Sequence, residues 1–437
     1  MSYIKQNLPS TKDEIKSNLL NSYYPIRYKD KKGGFDWDSV LGHVVKTSYR
    51  KVLIKPDLDD FKAACKQSIL AKLDEASFWA TLEQMYFQGD ELYKIAPEFL
   101  LFKTKNVKGS KPNARLGSLF GGLLQGFSFT EQPNVSLNFL EQHLFNELQQ
   151  NLKSNADNDT VNESPYLPFI TDFFQQDLRF LSRHPKYMLS VFKDFLRLYA
   201  QLYTAQLALN LKEWQEGAPV SKPNFFIMDS EKASDERTMI KNYGYRQMAK
   251  ALPTIFPYLT MNESLQSSEI QKQPLWKVAE NIAANTAALQ PLNDYAKAFK
   301  ESRQLTAAMA PASTPTGALT NLLELAMAQF ARGEPRHEIN TRYVRAIEIE
   351  MCDHFIQVRG RAGRVLVFNQ DYLILLTNLA IGDNDRLRFH ELIKTFEARG
   401  VYFDKQSQQV IIEFYERIGN VERMSDSGDA VYVCKTI

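Results

Sequence analysis

The sequence predicts a mainly α-helical, multidomain protein, with a large helical N-terminal region and a smaller α+β domain at its C-terminal end. Three observations support this prediction. The chain has 437 residues, which is long for a single hydrophobic core. Long stretches, above all 169–214, carry apolar residues at helical spacing. In the C-terminal residues, 358–437, short strand-like segments instead take turns with helical ones. Some of these strand-like segments are wholly apolar, and others alternate apolar and polar residues.

The helical region is predicted to form two domains. The first spans residues 1–150, and a polar, turn-prone stretch follows it. The second spans 165–302 and contains a long central helix that begins after a break at His184-Pro185. Residues 303–317 contain two prolines among small residues and are predicted to be a linker. Residues 318–437 are predicted to be helices that lead into the C-terminal domain.

The C-terminal domain is predicted to be a winged helix from the order of its segments. Gly382 and Gly400 end its first two helices, and Asp404 or Ser407 caps the third. The segments are an apolar strand (365–368), an all-apolar helix (370–381), an alternating strand (386–389), two amphipathic helices (390–398 and 405–418) and a hairpin with its tip at 425–429.

Overall composition excludes several classes of protein. The formal net charge is only +2, which is far from that of a histone-like basic protein. The three cysteines, Cys65, Cys352 and Cys434, lack the spacing of a disulfide framework or a zinc site and fit a reducing compartment. The N-terminus has no apolar signal region, and no apolar run is long enough to span a membrane. We therefore expect a cytoplasmic protein that makes no membrane contact.

Two local basic patches are candidates for contact with a DNA backbone. The first is a loop at 103–115 with five cations, no acid, and Gly, Ser, Pro and Asn as loop-forming residues. The second is a predicted hairpin whose turn, 359–364, carries three arginines. An ordinary solvated loop and an ordinary exposed turn are the alternatives. The candidate residues are Lys103, Lys105, Lys108, Lys111, Arg115, Arg359, Arg361 and Arg364.

The sequence predicts no catalytic residue, cofactor site or metal site. The glycine-rich stretch 117–126 lacks the Gly-Lys-Ser/Thr ending and the preceding strand of a phosphate loop, so we expect it to allow two helices to approach closely. The six histidines are scattered without metal-ligand spacing. A carboxylate cluster at Asp229, Glu231, Asp235 and Glu236 leaves a nuclease as a remote alternative, although a salt-bridged surface is favoured.

The charge of the C-terminal domain argues against reading a DNA groove. Residues 383–437 contain eight basic and ten acidic residues, whereas DNA affinity depends chiefly on phosphate neutralisation. Gln408 and Gln409 on the third helix have the chemistry to read adenine, so a sequence-specific DNA binder remains the alternative. We expect a domain that docks onto protein.

Four stretches resemble the DptG family of bacterial phosphorothioation-dependent restriction systems. They are 178–187 (LRFLSRHPKY), 198–203 (LYAQLY), 229–234 (DSEKAS) and 425–433 (SDSGDAVYV). The similarity runs from about residue 165 to the end, and none of these motifs is a catalytic signature.

The resemblance implies an antiviral defence role in a complex that attacks DNA lacking phosphorothioate modification. It implies DptF-like and DptH-like ATPase or helicase subunits as partners, with the DNA backbone as a further contact. The chain would be the non-catalytic adaptor subunit, and no active-site residue is carried over from the family.

Overall fold

The computed structural model describes residues 3–27, 34–71, 76–104, 111–129, 137–155, 162–234, 236–424 and 430–437. These residues are mostly helical, with a few small sheets, in agreement with the predicted mainly α class. The chain divides into two compact units. The large unit comprises Met1–Gly34, Val161–Phe174 and Arg197–Thr436, and the small unit comprises Phe35–Thr160, Gln175–Leu196 and Ile437.

The small unit is built mainly of helices around an aromatic core. Asp57 caps the second helix by accepting from the Asp59 and Asp60 amides, and Asn138 caps the fifth in a capping box with Glu141. The helices are α1 (Trp37–Tyr49), α2 (Leu58–Leu70), α3 (Ala76–Tyr86), α4 (Lys111–Leu123) and α5 (Phe139–Gln150). Strands β1 (Lys51–Leu53) and β2 (Leu152–Ser154) pair antiparallel.

The glycine-rich stretch forms part of α4 and packs closely against α1. A Cβ atom added at Gly117 would lie 2.7 Å from the Cβ of His43. Since a real Cβ does not approach another carbon so closely, the residue at this position has to be glycine for the two helices to meet. The predicted role in close helix packing is confirmed.

Two long helices follow, separated where the sequence predicted a break. α6 (Pro168–Arg183) ends before His184, and α7 (Pro185–Asn210) begins at the proline, whose missing N–H is not needed in a first helical turn. Each helix has residues in both units.

In the described part of the large unit, seven helices come between α7 and the C-terminal residues. They are α8 (Thr238–Tyr243), α9 (Tyr245–Ala251), α10 (Ile255–Leu265), α11 (Leu275–Ala283), α12 (Leu289–Arg303), α13 (Pro315–Ala328) and α14 (His337–Met351). The predicted linker, 303–317, lies within the large unit and runs from the last residue of α12 into the first turn of α13. Asn293 holds it by accepting from the Ala312 amide at 2.9 Å and donating to the Ala312 carbonyl at 3.0 Å. The predicted domain boundaries remain a prediction.

The strands of the large unit form two sheets. They are β3 (Phe225–Met228), β4 (Ile356–Val358), β5 (Arg364–Phe368), β6 (Arg386–Arg388), β7 (Tyr402–Phe403), β8 (Val421–Met424) and β9 (Ala430–Cys434). One sheet has the order β4-β5-β3-β7, with β3 parallel to both β5 and β7, and the other has the antiparallel order β6-β9-β8. All four residues of β3 are buried, so this apolar run forms an interior strand.

The C-terminal residues add three helices, α15 (Gln370–Ile381), α16 (Phe389–Ala398) and α17 (Lys405–Arg417). From α15 onward the order is helix, strand, helix, helix and a pair of strands, and the short β7 between α16 and α17 joins the other sheet. The predicted hairpin tip, 425–429, lies outside the described residues. Among the described helices, none is both long enough and apolar enough to cross a membrane.

Candidate nucleic-acid interface

The predicted arginine hairpin is present and is joined to the sheet of the large unit. β4 and β5 pair antiparallel, with Val358 opposite Arg364. The Arg359 amide donates to the Gly363 carbonyl at 2.7 Å and closes the turn. Gly360 and Gly363 both have positive φ, which accounts for the glycines in this turn. Because β5 also pairs with the buried strand β3, the hairpin that carries the turn is anchored to the interior of the large unit.

The three arginines of the hairpin differ in how far they are engaged. Arg359 donates from Nη2 to the Asp229 carbonyl at 2.7 Å. Arg364 donates from Nη1 to the Tyr245 hydroxyl at 2.9 Å and pairs with Glu348 Oε2 at 3.2 Å. Arg361 is exposed and has no hydrogen bond or ion pair to any described residue. Two arginines therefore stabilise the hairpin, and Arg361 is open to a phosphate.

The Tyr245–Glu348–Arg364 contact also affects proton binding. The hydrogen bond to Tyr245 raises the pKa of Arg364, and the charge of Glu348 adds to the effect. Burial raises the pKa of Tyr245, and its hydrogen bond to Glu348 raises it further. Near neutral pH the cluster therefore contains a cationic arginine and a neutral tyrosine.

The first basic patch belongs to the small unit, and part of it, with Lys105 and Lys108, lies outside the described residues. Lys103 pairs with Asp38 and with Asp90, each at 3.4 Å, and its Nζ lies 4.2 Å from the centre of the Tyr93 ring. Its charge is therefore already balanced within the protein.

The other two described cations of the patch lie on α4. Lys111 opens the helix and is exposed, without a polar partner among the described residues. Arg115 is half-buried and has interactions of its own within the protein. Of the six candidate residues that the structure describes, Lys111 and Arg361 are open to an external anion.

The candidate carboxylate cluster is not a metal site in the described residues. Glu231 is buried, accepts from the Met228 amide at 2.7 Å and pairs with Arg237 at 2.6 Å. Glu236 is exposed, and Asp235 lies outside the described residues. In the described part of the chain no three His, Cys, Asp or Glu side chains are arranged to hold a metal ion. The expected salt bridge exists, but it is buried and not on the surface.

Arg237 connects the carboxylate cluster to the start of α17. Its Nη1 donates to Glu231, its Nε donates to Asp404 Oδ2 at 2.9 Å, and its Nη2 donates to Asp404 Oδ1 and to the Ser407 hydroxyl. Asp404 also caps α17 by accepting from the Ser407 amide at 2.9 Å. We call these four residues, Glu231, Arg237, Asp404 and Ser407, the arginine latch.

Burial and charge act in opposite directions in the arginine latch. Burial alone lowers the pKa of Arg237 and raises that of Asp404. The hydrogen bonds between the two side chains outweigh this effect, so the pKa of Arg237 is raised and that of Asp404 is lowered. Both groups stay charged at neutral pH. In the sequence Asp404 is recognisable only as a helix cap, because its partner lies 167 positions away.

The arginine latch and local hydrogen bonds occupy the N-terminal end of α17. Gln408 donates from Nε2 to the Phe403 carbonyl at 2.9 Å, and Gln409 donates to Glu413 at 3.1 Å. The two glutamines proposed to read adenine are thus engaged in bonds within the protein. A groove-reading helix uses side chains at this end for base contacts, and here Lys405 and Gln406 stay exposed while Asp404 and Ser407 are held by Arg237.

The sheet of the C-terminal residues presents an arginine–tyrosine cluster at its surface. The guanidinium carbons of Arg386 and Arg388 lie 5.1 Å and 5.7 Å from the centre of the Tyr432 ring. Arg388 donates from Nε to the Tyr432 hydroxyl at 3.0 Å, and Arg386 pairs with Glu422. These residues are not recognisable as a cluster in the sequence, because only the pairing of β6 with β9 brings them together.

No protein-family model matches this chain, and no curated protein is significantly similar to it.

Proposed function

We propose that this chain is a non-catalytic adaptor subunit of a cytoplasmic DNA restriction complex. In this proposal residues from α15 to β9 form a winged helix that docks onto protein partners. The resemblance to the DptG family supports the choice of complex, with DptF-like and DptH-like ATPase or helicase subunits as partners. The complex would attack DNA that lacks phosphorothioate modification.

The single observation that carries the docking role is the arginine latch. A winged helix that reads DNA inserts the N-terminal part of its third helix into the major groove. Here Arg237 holds that end of α17 through Asp404 and Ser407, with its own side chain 6% exposed. Opening the latch would leave Glu231 buried without its cation, which is costly. This favours docking over groove reading.

The opposite end of α17 offers a surface for a partner. Ile418 follows the helix and is 38% exposed. Tyr432 with its two flanking arginines lies on the neighbouring sheet. Exposed apolar, tyrosine and arginine side chains are the types that are enriched at protein interfaces. We therefore place partner binding on the β8–β9 sheet and the C-terminal end of α17.

Contact with the DNA backbone is a secondary part of the proposal. Arg361 and Lys111 are the described candidates with no internal partner, and they would neutralise phosphates without reading sequence. Two phosphate contacts supply little affinity. In this proposal the ATPase subunits therefore provide most of the DNA binding.

Affinity purification of the tagged full-length chain from its natural host tests the adaptor role. We expect an ATPase or helicase subunit with a P-loop to be recovered in constant ratio. Ile418→Asp should reduce this recovery, whereas Ile349→Asp, at an isoleucine of α14 that is 43% exposed, should not. Absence of any such subunit from the wild-type sample would overturn the proposal.

Two assays on the purified chain address the alternatives. A gel shift specific for one DNA sequence, lost on changing Gln408 and Gln409 to glutamate, would favour the groove reader. DNA cleavage by the chain alone with magnesium or manganese would favour the nuclease. We expect neither result.

A further inference from the structure

A cavity of about 540 Å³ in the large unit has an unusual charge balance. It lies between the N-terminal segment 17–27, the first turn of α10, the C-terminal end of α12 and the N-terminal end of α14. Arg27, Arg303 and Arg336 line it, and among the described residues no aspartate or glutamate does. We call it the arginine cavity.

Arg303 and Arg336 are not neutralised within the described part of the chain. Neither forms an ion pair with a described carboxylate. Arg303 donates from Nη2 to the Lys16 carbonyl at 2.7 Å, but its Nε is buried and has no partner. Burial lowers the pKa of Arg303, and the nearby charge of Arg336 lowers it further. Two guanidinium groups close together without an acid are favourable for an anion.

The start of α14 adds to this potential. Arg336 is the N-cap residue of this 15-residue helix, and no side chain caps the helix. The positive end of the helix dipole therefore lies beside the two guanidinium groups, and the acid of the first turn, Glu338, is paired with Arg342.

The remaining walls of the cavity are apolar and partly aromatic. Phe256 and Tyr343 line it with ring centres 4.9 Å apart. Leu19 and Ile339 also line it and are 52% and 37% exposed, so apolar surface is left uncovered there. A ligand that covers this surface needs a flat apolar part as well as an anionic group.

A larger neighbouring cavity does not share this charge balance. It has a volume of about 920 Å³ and is lined by Lys5, Lys16 and Lys272 together with Glu14, Glu263 and Asp294. Lys272 pairs with Glu263 at 3.2 Å. The cations that line this larger cavity are balanced by the acids that line it, so it is less suited to bind an external anion.

We propose that the arginine cavity binds a nucleotide, with the phosphate on Arg303 and Arg336 and the base against Phe256. Guanidinium groups suit phosphate because their N–H groups bind two oxygens at once. Aromatic side chains bind bases of any sequence by stacking. The volume lies within the range for small-molecule sites. The nucleotide is either free or the phosphorylated end of a DNA strand, and both present the same chemistry.

Calorimetric titration of the full-length chain tests the proposal. The ligands are adenosine monophosphate, adenosine, and a short single-stranded oligonucleotide with or without a 5′-phosphate. We expect a phosphorylated ligand to bind at least about tenfold more tightly than its unphosphorylated counterpart. Tighter binding of the monophosphate assigns a free nucleotide, and tighter binding of the 5′-phosphorylated strand assigns a strand end. Failure of both phosphorylated ligands to bind would overturn the proposal.

Variants separate the two parts of the site. Arg336→Gln should weaken binding of the phosphorylated ligand about tenfold or more. Arg336→Lys should weaken it less, because lysine keeps the positive charge but cannot donate two parallel hydrogen bonds to a phosphate. Phe256→Leu should weaken it about fivefold or more through lost stacking. Arg345→Ala, which removes an exposed cation farther along the same helix, is the control and should bind as wild type. If folded Arg336→Gln binds the phosphorylated ligand as tightly as wild type, the proposed nucleotide site is wrong. That result would not affect the proposed adaptor role.

Discussion

Arg237 and Asp404 are 167 positions apart in the chain, and the guanidinium of Arg237 donates two hydrogen bonds to the carboxylate of Asp404. The same guanidinium neutralises Glu231, whose side chain is 2% exposed. One arginine thus joins the segment after β3 to the first turn of α17. The contact fixes the C-terminal helices to the rest of the large unit. Because it holds the first turn of α17, it favours protein docking over DNA reading by this helix.

Removal of Arg237 should be strongly destabilising. Arg237→Ala leaves Glu231 as a buried carboxylate without its cation and removes a partner of the Asp404 cap. We expect the free energy of unfolding to fall by about 3–5 kcal/mol, as when one partner of a buried ion pair is removed. Urea denaturation followed by circular dichroism measures the change.

A matched control for this prediction is Arg342→Ala. Arg342 pairs with Glu338 on α14 with side chains 65% and 67% exposed, so we expect a loss under about 0.5 kcal/mol. Equal losses for the two variants would show that the arginine latch has no special role.

Stability should depend on pH through Glu163. Burial raises the pKa of this carboxyl from 4.5 to about 8, although a hydrogen bond from the Tyr23 amide at 2.9 Å acts in the other direction. The folded protein therefore keeps a proton that the unfolded chain has already lost. This contribution is fully present below the unfolded pKa and is lost as pH rises through about 8.

Glu163→Gln isolates this effect, because glutamine keeps the acceptor for Tyr23 but does not ionise. Between about pH 5 and pH 8.5 we expect the variant to lose less stability than wild type, by a few kcal/mol. Urea denaturation at both pH values measures this difference. Glu301→Gln changes an exposed carboxylate and should keep the wild-type slope. An unchanged slope in Glu163→Gln would contradict the assignment.

Gly117→Ala should destabilise the small unit. Glycine in the middle of a helix normally costs about 1 kcal/mol relative to alanine, so this replacement is usually favourable. Here the added Cβ would lie 2.7 Å from the Cβ of His43 and force α1 and α4 apart. We expect a net loss of about 1–3 kcal/mol.

Thermal and urea unfolding of Gly117→Ala can be compared with Gly89→Ala, where nothing lies within 4 Å of the added atom. Gly89→Ala should be close to neutral. A more stable Gly117→Ala protein would show that the helices can separate at little cost.

Two arginines of one turn should respond differently to substitution. Arg359→Ala removes a hydrogen bond to the Asp229 carbonyl and should cost about 1–3 kcal/mol of stability. Arg361→Ala should change stability by less than about 0.5 kcal/mol. If the hairpin contacts DNA as proposed, Arg361→Ala should weaken binding by the assembled complex and reduce the salt slope by about 1.

Denaturation of the chain and salt-dependent fluorescence anisotropy of the complex on labelled DNA measure the two effects. An unchanged salt slope in Arg361→Ala would remove this hairpin from the DNA interface.

Local pattern was sufficient for much of the helical structure. The break between α6 and α7 follows from Pro185, which cannot donate a backbone hydrogen bond. The β4–β5 hairpin follows from two apolar runs around a glycine-containing turn. Both are effects of neighbouring residues, which a sequence displays directly.

Local pattern was not sufficient for the candidate interface. Lys103, Arg359 and Arg364 had the same appearance in sequence as Arg361, yet the first three have partners within the fold, whereas Arg361 has none among the described residues. A charge is available to a ligand only when no internal group neutralises it. That depends on residues far apart along the chain.

By itself, the sequence determined the mainly helical class, the positions of the long helices and the hairpin, and a close helix approach at the glycine-rich stretch 117–126, whereas the structure identified α1 as the partner of α4. These properties depend on periodicity, turn residues and the absence of a side chain. Only the tertiary structure decided that β3 is an interior strand, that Arg237 binds the start of α17, and that Arg303 and Arg336 share a cavity that no described acid lines. The physical reason is that electrostatic compensation is a property of neighbours in space.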